Sequence, residues 1–527
     1  MTKRPAQYKD AFRKGLRQNP DLRNQDRLAL CYNAKPSPQG LRGWVEIPQV
    51  VAQGSVNFPF PQMFSGREQT LLLYETSMSK LNTTTGVEIP ITVIDAQTSG
   101  GSTIAAGGVW HFVDLGKMFM ATNGTTILFR DNSDFDYSDL SALATDVKVS
   151  NEIQFNTICE WRGRVFTGGF APSSTWKAEW QTILEGYRED DRVPDILRNM
   201  PYLLDENFVL WSTVGTSDFS FRWLIFPDEA LQGLMTTIDG VSYAGYTGDT
   251  NPLQDALLQA GLGMMRMPFK GQVLCIKPHA QGVIVYGSDG IALLKHETSP
   301  FSTFGLHVLS ETGIPSRGAV GGDENSQCFV NTRGELCLLD GAAKIVSLDY
   351  REFFQPMLDE TIVVTYHDDP LLPEFYICSE TQGYVLTSSG LGQMGQLITS
   401  TGQYQGTQAV VSENLLEQSM MLETSEYDGG LTGGMKQLQT VRVASNASDD
   451  LFGSSKLAYK QDQTFIQTRQ RLISPDGFLV LHDSAPTVRL CLSTPNPSGL
   501  LIQQVDMESD FIGRQFVRSA YGQEANQ

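Results

Sequence analysis

A short hairpin unit recurs along this chain and constrains its fold more than any other feature. Each copy is an apolar β-run, a tight turn carrying glycine, and a second apolar β-run: Met118–Arg130 (MFMATNGTTILFR), Val283–Lys295 (VIVYGSDGIALLK), Cys328–Asp340 (CFVNTRGELCLLD) and Phe375–Thr387 (FYICSETQGYVLT). The turn glycines are Gly124, Gly290, Gly334 and Gly383, the last three 44 and 49 residues apart. Glycine is expected at these points because tight hairpin turns need φ > 0 at one or more positions, which a residue without Cβ adopts freely. Between the turns, Ile, Val, Leu and Phe alternate with small or polar residues, so each hairpin has a face that it cannot bury by itself.

Steps of roughly 45 residues from Gly124 reach weaker copies at Arg164–Gly168 (RVFTG) and Phe208–Gly215 (FVLWSTVG) downstream, and at Leu71–Leu81 (LLLYETSMSKL) upstream. A period of roughly 40–50 residues made of short strands signals a β-propeller, whose blades bury one another's faces and whose closed ring protects the strand edges. A repeat of this kind also explains how 527 residues, too many for one ordinary core, are accommodated. The expectation is an all-β chain with a propeller of six or seven blades over residues 70–428. The interval from Gly215 to Gly290 is about 30 residues longer than one such period, which predicts a helical insertion near 227–270. Asn251-Pro252 opens that helix, Leu253, Ala256, Leu257 and Ala260 share one side, and Gly261 closes it.

The two ends differ from the repeat. Residues 1–69 read as an N-terminal arm and lead-in segment. A short helix over 7–18 places Tyr8, Phe12 and Leu16 in one row and Lys9, Arg13 and Arg17 in the row beside it, and Asn19-Pro20 stops it. These six residues are the candidate partner-binding set, an anchor for an acidic surface; the bland reading is a solvated basic face over one apolar stripe. As an arm, residues 1–20 are expected to be dispensable for the subunit's stability. Residues 429–527 carry candidate strands at Leu438–Val443, Lys456–Lys460, Thr464–Arg469, Phe478–Leu481, Val488–Ser493 and Ile502–Met507, read as a separable C-terminal β-sandwich. Within Thr487–Ser493, Val488, Leu490 and Leu492 alternate with polar positions, so one side is buried and the other is wet or faces an interface.

The net charge is −20, and residues 1–27 carry +5 of their own, which leaves −25 for the remainder. Tight grip on nucleic acid rests on Lys and Arg neutralising phosphates, so a strongly acidic body suits a surface that lets DNA pass. The seven cysteines show no C-x-x-C spacing and are odd in number, which fits buried free thiols and not a zinc site or a disulfide framework. No apolar run approaches a membrane span, so stable membrane insertion is not expected.

Little in the sequence signals catalysis. The six histidines show no metal-ligand spacing, no G-x-S-x-G nucleophile motif is present, and no cofactor fingerprint accompanies the glycine pairs Gly168-Gly169 and Gly321-Gly322. The acidic cluster Asp131, Asp134, Asp136 and Asp139 is the one candidate cation loop. It lacks the glycine and terminal glutamate of a calcium loop, so an exposed connection is preferred and cation binding stays open. The sialidase repeat S-x-D-x-G-x-T-W is absent as well. The reading is a non-enzymatic protein without a cofactor.

Two regions carry a family resemblance. Arg27–Leu41 (RLALCYNAKPSPQGL), after a basic helix and before the repeats, resembles the opening segment of tail nozzle and head-to-tail connector proteins of short-tailed bacteriophages. Lys436–Val443 (KQLQTVRV), Lys456–Lys460 (KLAYK) and Thr487–Leu492 (TVRLCL) are similar to their C-terminal β-domain. The resemblance implies a structural virion protein of the tail, made in the host cytoplasm. It further implies a homo-oligomeric ring, attached to the portal or its adaptor and to other tail proteins, through which DNA passes transiently. The alternative from the fold alone is a carbohydrate-binding or carbohydrate-cleaving propeller, which would set carboxylates and aromatics around its axis.

Overall fold

The computed structural model describes residues 4–16, 27–44, 57–65, 70–82, 87–95, 101–115, 119–130, 147–150, 154–171, 205–212, 263–299, 302–368, 373–404, 407–412, 419–427, 434–446, 450–459 and 464–514, with isolated positions between them. Among the described residues the chain is mostly β, consistent with an all-β class, with few helical positions. Six small antiparallel meanders follow one another in chain order, with four strands each at 62–91, 111–150, 155–266, 273–310, 320–347 and 363–394, and a two-stranded hairpin at 398–412 comes after them. The second meander gains a fifth strand, Val93–Asp95, paired in parallel to Val147–Ser150.

All four strong sequence copies are hairpins in the expected register, for example Phe119↔Arg130, Gly282↔Lys295, Ser326↔Asp340 and Phe375↔Leu386. Their glycines divide. Gly124 (φ 92°) and Gly334 (φ 73°) occupy the left-handed region, whereas Gly290 and Gly383 do not. At Gly290 the demand for glycine is steric, since a Cβ there would lie 2.9 Å from Cβ of Phe269.

The sheets do not follow the sequence copies one for one. Phe208–Trp211 opens no new sheet; it pairs with Arg164–Phe170 as the third strand of the third meander. Conversely, the hairpin Ile398–Tyr404/Thr407–Ser412 escapes the pattern although Gln405-Gly406 joins its strands, because its first strand (ITSTGQY) is mostly polar. The long interval is also redistributed. Gly263–Arg266, expected within the insertion near 227–270 just after its helix, is the fourth strand of that same meander, and the extra chain lies between strands at 171–207 and 212–262. The helix opened by Asn251-Pro252 and the acidic cluster Asp131–Asp139 lie outside the described residues.

The ends of the chain form one module and not two. Gly434–Ser445 pairs with Leu501–Arg514 and Phe478–Ala485, and that sheet continues into the N-terminal strands Gly40–Gly43, Ala34–Ser37 and Arg4–Gln7. The facing sheet holds Leu28–Tyr32, Met420–Thr424, Thr487–Thr494 and Phe452–Ala458. Leu438, Val441, Leu479, Leu490, Leu492, Ile502 and Val505 fill the space between the two sheets. Burial alternates along Thr487–Thr494 as the pattern predicted, while Thr464–Arg469 contributes only Ile466–Gln467 to the sheet.

Three expected boundaries are therefore corrected. The first meander starts at Gln62, Met420–Thr424 belongs to the sandwich, and the N-terminal segment is woven into the sandwich instead of hanging free. The sandwich is also continuous with the sixth meander, because Tyr32 pairs in parallel with Gln393.

Candidate functional site

The helix Lys9–Lys14 was the sequence's candidate docking element, and its apolar row is spent inside the chain. Tyr8, Phe12 and Leu16 are fully buried in the core shared by the sandwich and the later meanders. Backbone bonds fasten both ends: Tyr8 N–H donates to the Val505 carbonyl (2.9 Å), and Leu16 N–H to the Leu391 carbonyl (2.8 Å). Gly15, with φ 65° and ψ −134°, makes the tight exit that lets Leu16 reach Leu391. The helix is a bolt between sandwich and sixth meander, so the apolar half of the proposed anchor is closed to a partner. Of the basic row, Arg13 is half-buried, Lys9 has no described side chain, and Arg17 lies outside the described residues. Lys14, outside that row, faces Asp10 at 4.0 Å.

A second locus was not singled out by sequence. The opening strands of five meanders and of the final hairpin surround a central cavity of about 350 Å3, lined by segments 62–65, 109–111, 317–322, 363–366 and 399–402 together with Lys277. The first and last sheets meet here: Met63 N–H donates to Ser400 Oγ (2.7 Å), and Thr399 Oγ1 donates to the Pro61 carbonyl (2.8 Å). The lining contains two cations, Lys277 and Arg317, one histidine, His111, and no carboxylate among the described residues. Asp323 and Asp368 stand beside Tyr366 at the cavity's edge.

The protonation of His111 follows from its partners. Its Nε2 lies 3.3 Å from the Arg317 carbonyl, which only accepts, so Nε2 carries the hydrogen. Burial, reinforced by the charges of Arg317 and Lys277, holds the ring's pKa well below the ordinary histidine value. In that neutral ring Nδ1 accepts from Thr157 Oγ1 (2.8 Å), and Thr157 Oγ1 in turn accepts from the Ile276 N–H (2.8 Å). Both ring nitrogens are thus engaged in tying the second, third and fourth meanders together, which leaves no lone pair for general-base work.

Arg317 is enclosed by the same strands, and its Nη2 donates to the Thr122 carbonyl (3.0 Å) while Nε and Nη1 have no hydrogen-bond partner. Burial pushes this guanidinium down to about 9. Gly124 accommodates it, since a Cβ there would collide with Nη1. Lys277 has no hydrogen-bond or ion-pair partner among the described residues, in contrast to Lys35, which pairs with Glu374 at 2.5 Å. The signal for Lys277 was present in the sequence as one lysine within the otherwise apolar run Val273–His279.

The cysteines are all free and six of the seven are buried, Cys491 being half-exposed. Among the described residues the sandwich carries a connected ion-pair network: Glu423 receives Lys456 (2.5 Å) and Arg489 (2.7 Å), and Arg489 also reaches Glu426 (2.8 Å). The polar side of Thr487–Thr494 is thereby partly consumed within the chain. No described helix is long and apolar enough to cross a membrane.

No family model and no curated protein matches the chain. Among solved structures it is similar to PorZ, a surface component of the type-IX secretion system of Porphyromonas gingivalis, at 8% identity and TM-score 0.32, covering 75% of this chain and 44% of that one. Chaetomium thermophilum Raptor gives 10% identity and TM-score 0.35, with 69% and 28% covered. The extracellular domain of a hybrid two component system from B. thetaiotaomicron gives 9% and 0.29, with 80% and 46% covered. The chain spans less than half the length of each of these proteins. Similarity of this size leaves function to be argued from the chain's own residues.

Proposed function

We propose that this protein is a structural component of a short-tailed phage tail, a nozzle or connector subunit that assembles in a ring around the DNA exit path. The observation that carries the reading is the meeting of the chain's two ends. The stretches that resemble this family, 27–41 at one end and 436–443, 456–460 and 487–492 at the other, contribute strands to one β-sandwich, so the resemblance falls on a single module. In the same reading the six meanders and the final hairpin are seven blades of a propeller, the seventh reduced to two strands; contact between the first and last sheets supports a ring.

The size of the central cavity bears on where DNA would run. A volume of 350 Å3 corresponds to a sphere about 9 Å across, and a duplex whose major groove alone is about 12 Å wide does not fit through it. The exit path therefore lies between subunits, bounded by the acidic outer surface of a chain with net charge −20. The carbohydrate-cleaving alternative calls for paired carboxylates around the axis, and the lining supplies cations instead. The test is the composition and architecture of the particle. The chain is expected in purified virions at a fixed ring stoichiometry, and purified protein is expected to leave a polysaccharide and sialoside panel intact. Its absence from virions, or turnover lost on changing one axial residue, would overturn the proposal.

A further inference from the structure

The outer face of the sandwich carries an exposed surface that is both apolar and basic. Phe478–Ala485 is the last strand of its sheet. Leu479 and Leu481 enter the core, so by alternation Phe478 and Val480 point outward, 45% and 48% exposed. Ile466 and Leu472, on two short strands bordering that edge, are 53% and 56% exposed. Single apolar residues scattered over a surface need no explanation, but four such residues between 466 and 480 mark a contact surface. Arg442 faces outward on the next strand with its guanidinium 5.7 Å from the Phe478 ring, and Arg471 Nη1 donates to the Val480 carbonyl (2.6 Å). Neither arginine has an ion-pair partner among the described residues, whereas Lys456 and Arg489 of the facing sheet are paired. Ser474 N–H donates to the Phe478 carbonyl and Ser474 Oγ accepts from the Phe478 N–H (2.9 Å each), so the backbone edge is closed over 478–480 and the side-chain face is what remains open.

We infer that this face, centred on Phe478, Val480 and Arg442, is the surface through which one copy of the chain binds the next. The choice of a like partner rests on the ring reading, since a closed ring needs a heterologous contact in which one face of each copy meets a different face of its neighbour. Charge supports the same occupant. The face is basic and apolar on a chain of net charge −20, so the remaining surface of a second copy is its electrostatic complement. An exposed aromatic with an arginine stacked on it is also the composition of an interface centre. A nucleic-acid backbone fits less well, because carboxylates stand among the arginines. Asp506 is opposite Arg442 on the neighbouring strand, and a groove of about 390 Å3 beside them is lined by Asp476 and Asp506 as well as Arg442.

Sedimentation velocity of the full chain over a range of concentrations tests the contact. Concentration-dependent assembly beyond the monomer is expected, and it should weaken as potassium chloride rises. Phe478→Ser and Arg442→Glu are each expected to weaken assembly about ten-fold or more, with urea midpoints unchanged because both side chains are exposed. Lys270→Glu, the same change of charge at an exposed position between the third and fourth meanders, is expected to change it less than about three-fold. A chain that stays monomeric at every concentration, assembly that neither Phe478→Ser nor Arg442→Glu weakens, or equal losses in Lys270→Glu and Arg442→Glu would overturn the inference. Duplex DNA bound at physiological salt and released by Arg442→Glu would assign the face to nucleic acid and overturn it too. The tail reading fails separately. Assembly that Phe478→Ser abolishes, in a chain absent from virions, would keep the surface and remove the tail role; virion rings whose subunit contact leaves Phe478 exposed would remove the surface and keep the tail role.

Discussion

Replacing Gly15 by alanine tests whether the N-terminal helix is a structural bolt. Gly15 sits at φ 65° and ψ −134°, a conformation available to glycine and strained for any residue with a Cβ. The added Cβ would lie 3.2 Å from the Leu391 carbonyl carbon and closer still to its oxygen and to Cγ of Pro36. Retreat is blocked, because Leu16 N–H and the Gly15 carbonyl are committed to Leu391 and Leu28 (2.8 Å each). Backbone strain of about 1–3 kcal/mol and overpacking of about 1–3 kcal/mol give an expected loss of roughly 2–6 kcal/mol. Gly499→Ala separates the two terms, since Gly499 also has positive φ (72°) but open space around its Cβ position; its loss is expected near 1 kcal/mol. Urea titration followed by far-UV circular dichroism reads both variants through the shift in midpoint. A Gly15→Ala loss below about 1 kcal/mol, or one equal to that of Gly499→Ala, would refute the claim that this seam is tightly packed.

Other perturbations give further checks. Phe12→Ala is expected to cost about 3–5 kcal/mol, the usual range for emptying a fully buried phenylalanine site, so loss of residues 1–20 lowers the melting temperature of the isolated subunit; an unchanged melting curve would return the helix to the status of an arm. His111 is held neutral in the fold, so below its unfolded value of 6.5 the unfolded chain binds a proton that the native chain refuses. Stability is then full above that pH and falls as pH drops through it, by up to about 1.4 kcal/mol per unit, and His111→Gln should flatten the slope in acid urea titrations. Glu423→Gln leaves Lys456 and Arg489 without their shared counter-charge and should cost about 3 kcal/mol in the same assay. Burial pushes the thiol pKa of Cys378 and of Cys491 up to about 12; native protein at pH 8 should react slowly with a thiol reagent, the half-exposed Cys491 first, and rapid labelling of several cysteines would contradict the packing.

The sequence disclosed what is local and concealed what is distant. Hairpins such as Cys328–Asp340 and Phe375–Thr387 are written in one stretch of chain, because strand alternation and a glycine-bearing turn fix both partners at once. The hairpin Ile398–Ser412 was missed since its first strand, ITSTGQY, is mostly polar and carries no apolar β-run ahead of Gly406. Phe208–Trp211 was miscounted since a β-run alone does not tell which sheet it joins. The pairing of Leu501–Arg514 with both Gly434–Ser445 and Gly40–Gly43 spans nearly the whole chain, and no local pattern encodes it. The helix Lys9–Lys14 shows the same limit: an amphipathic pattern states that Tyr8, Phe12 and Leu16 need cover, and the cover is the chain's own sandwich. Lys277 and Arg317 were legible only as isolated charges, and their meeting with His111 at one cavity depends on six separate segments of the chain.

The most direct test of the account is cryo-electron microscopy of the intact particle at the head-to-tail axis. The account predicts this chain as a ring of identical subunits, each with a seven-sheet propeller joined to a sandwich built from both chain ends, around a duplex-wide lumen that lies between subunits and not within any one propeller. A particle whose tail contains no copy of the chain, or a chain found as a single copy with no lumen beside it, would contradict that claim.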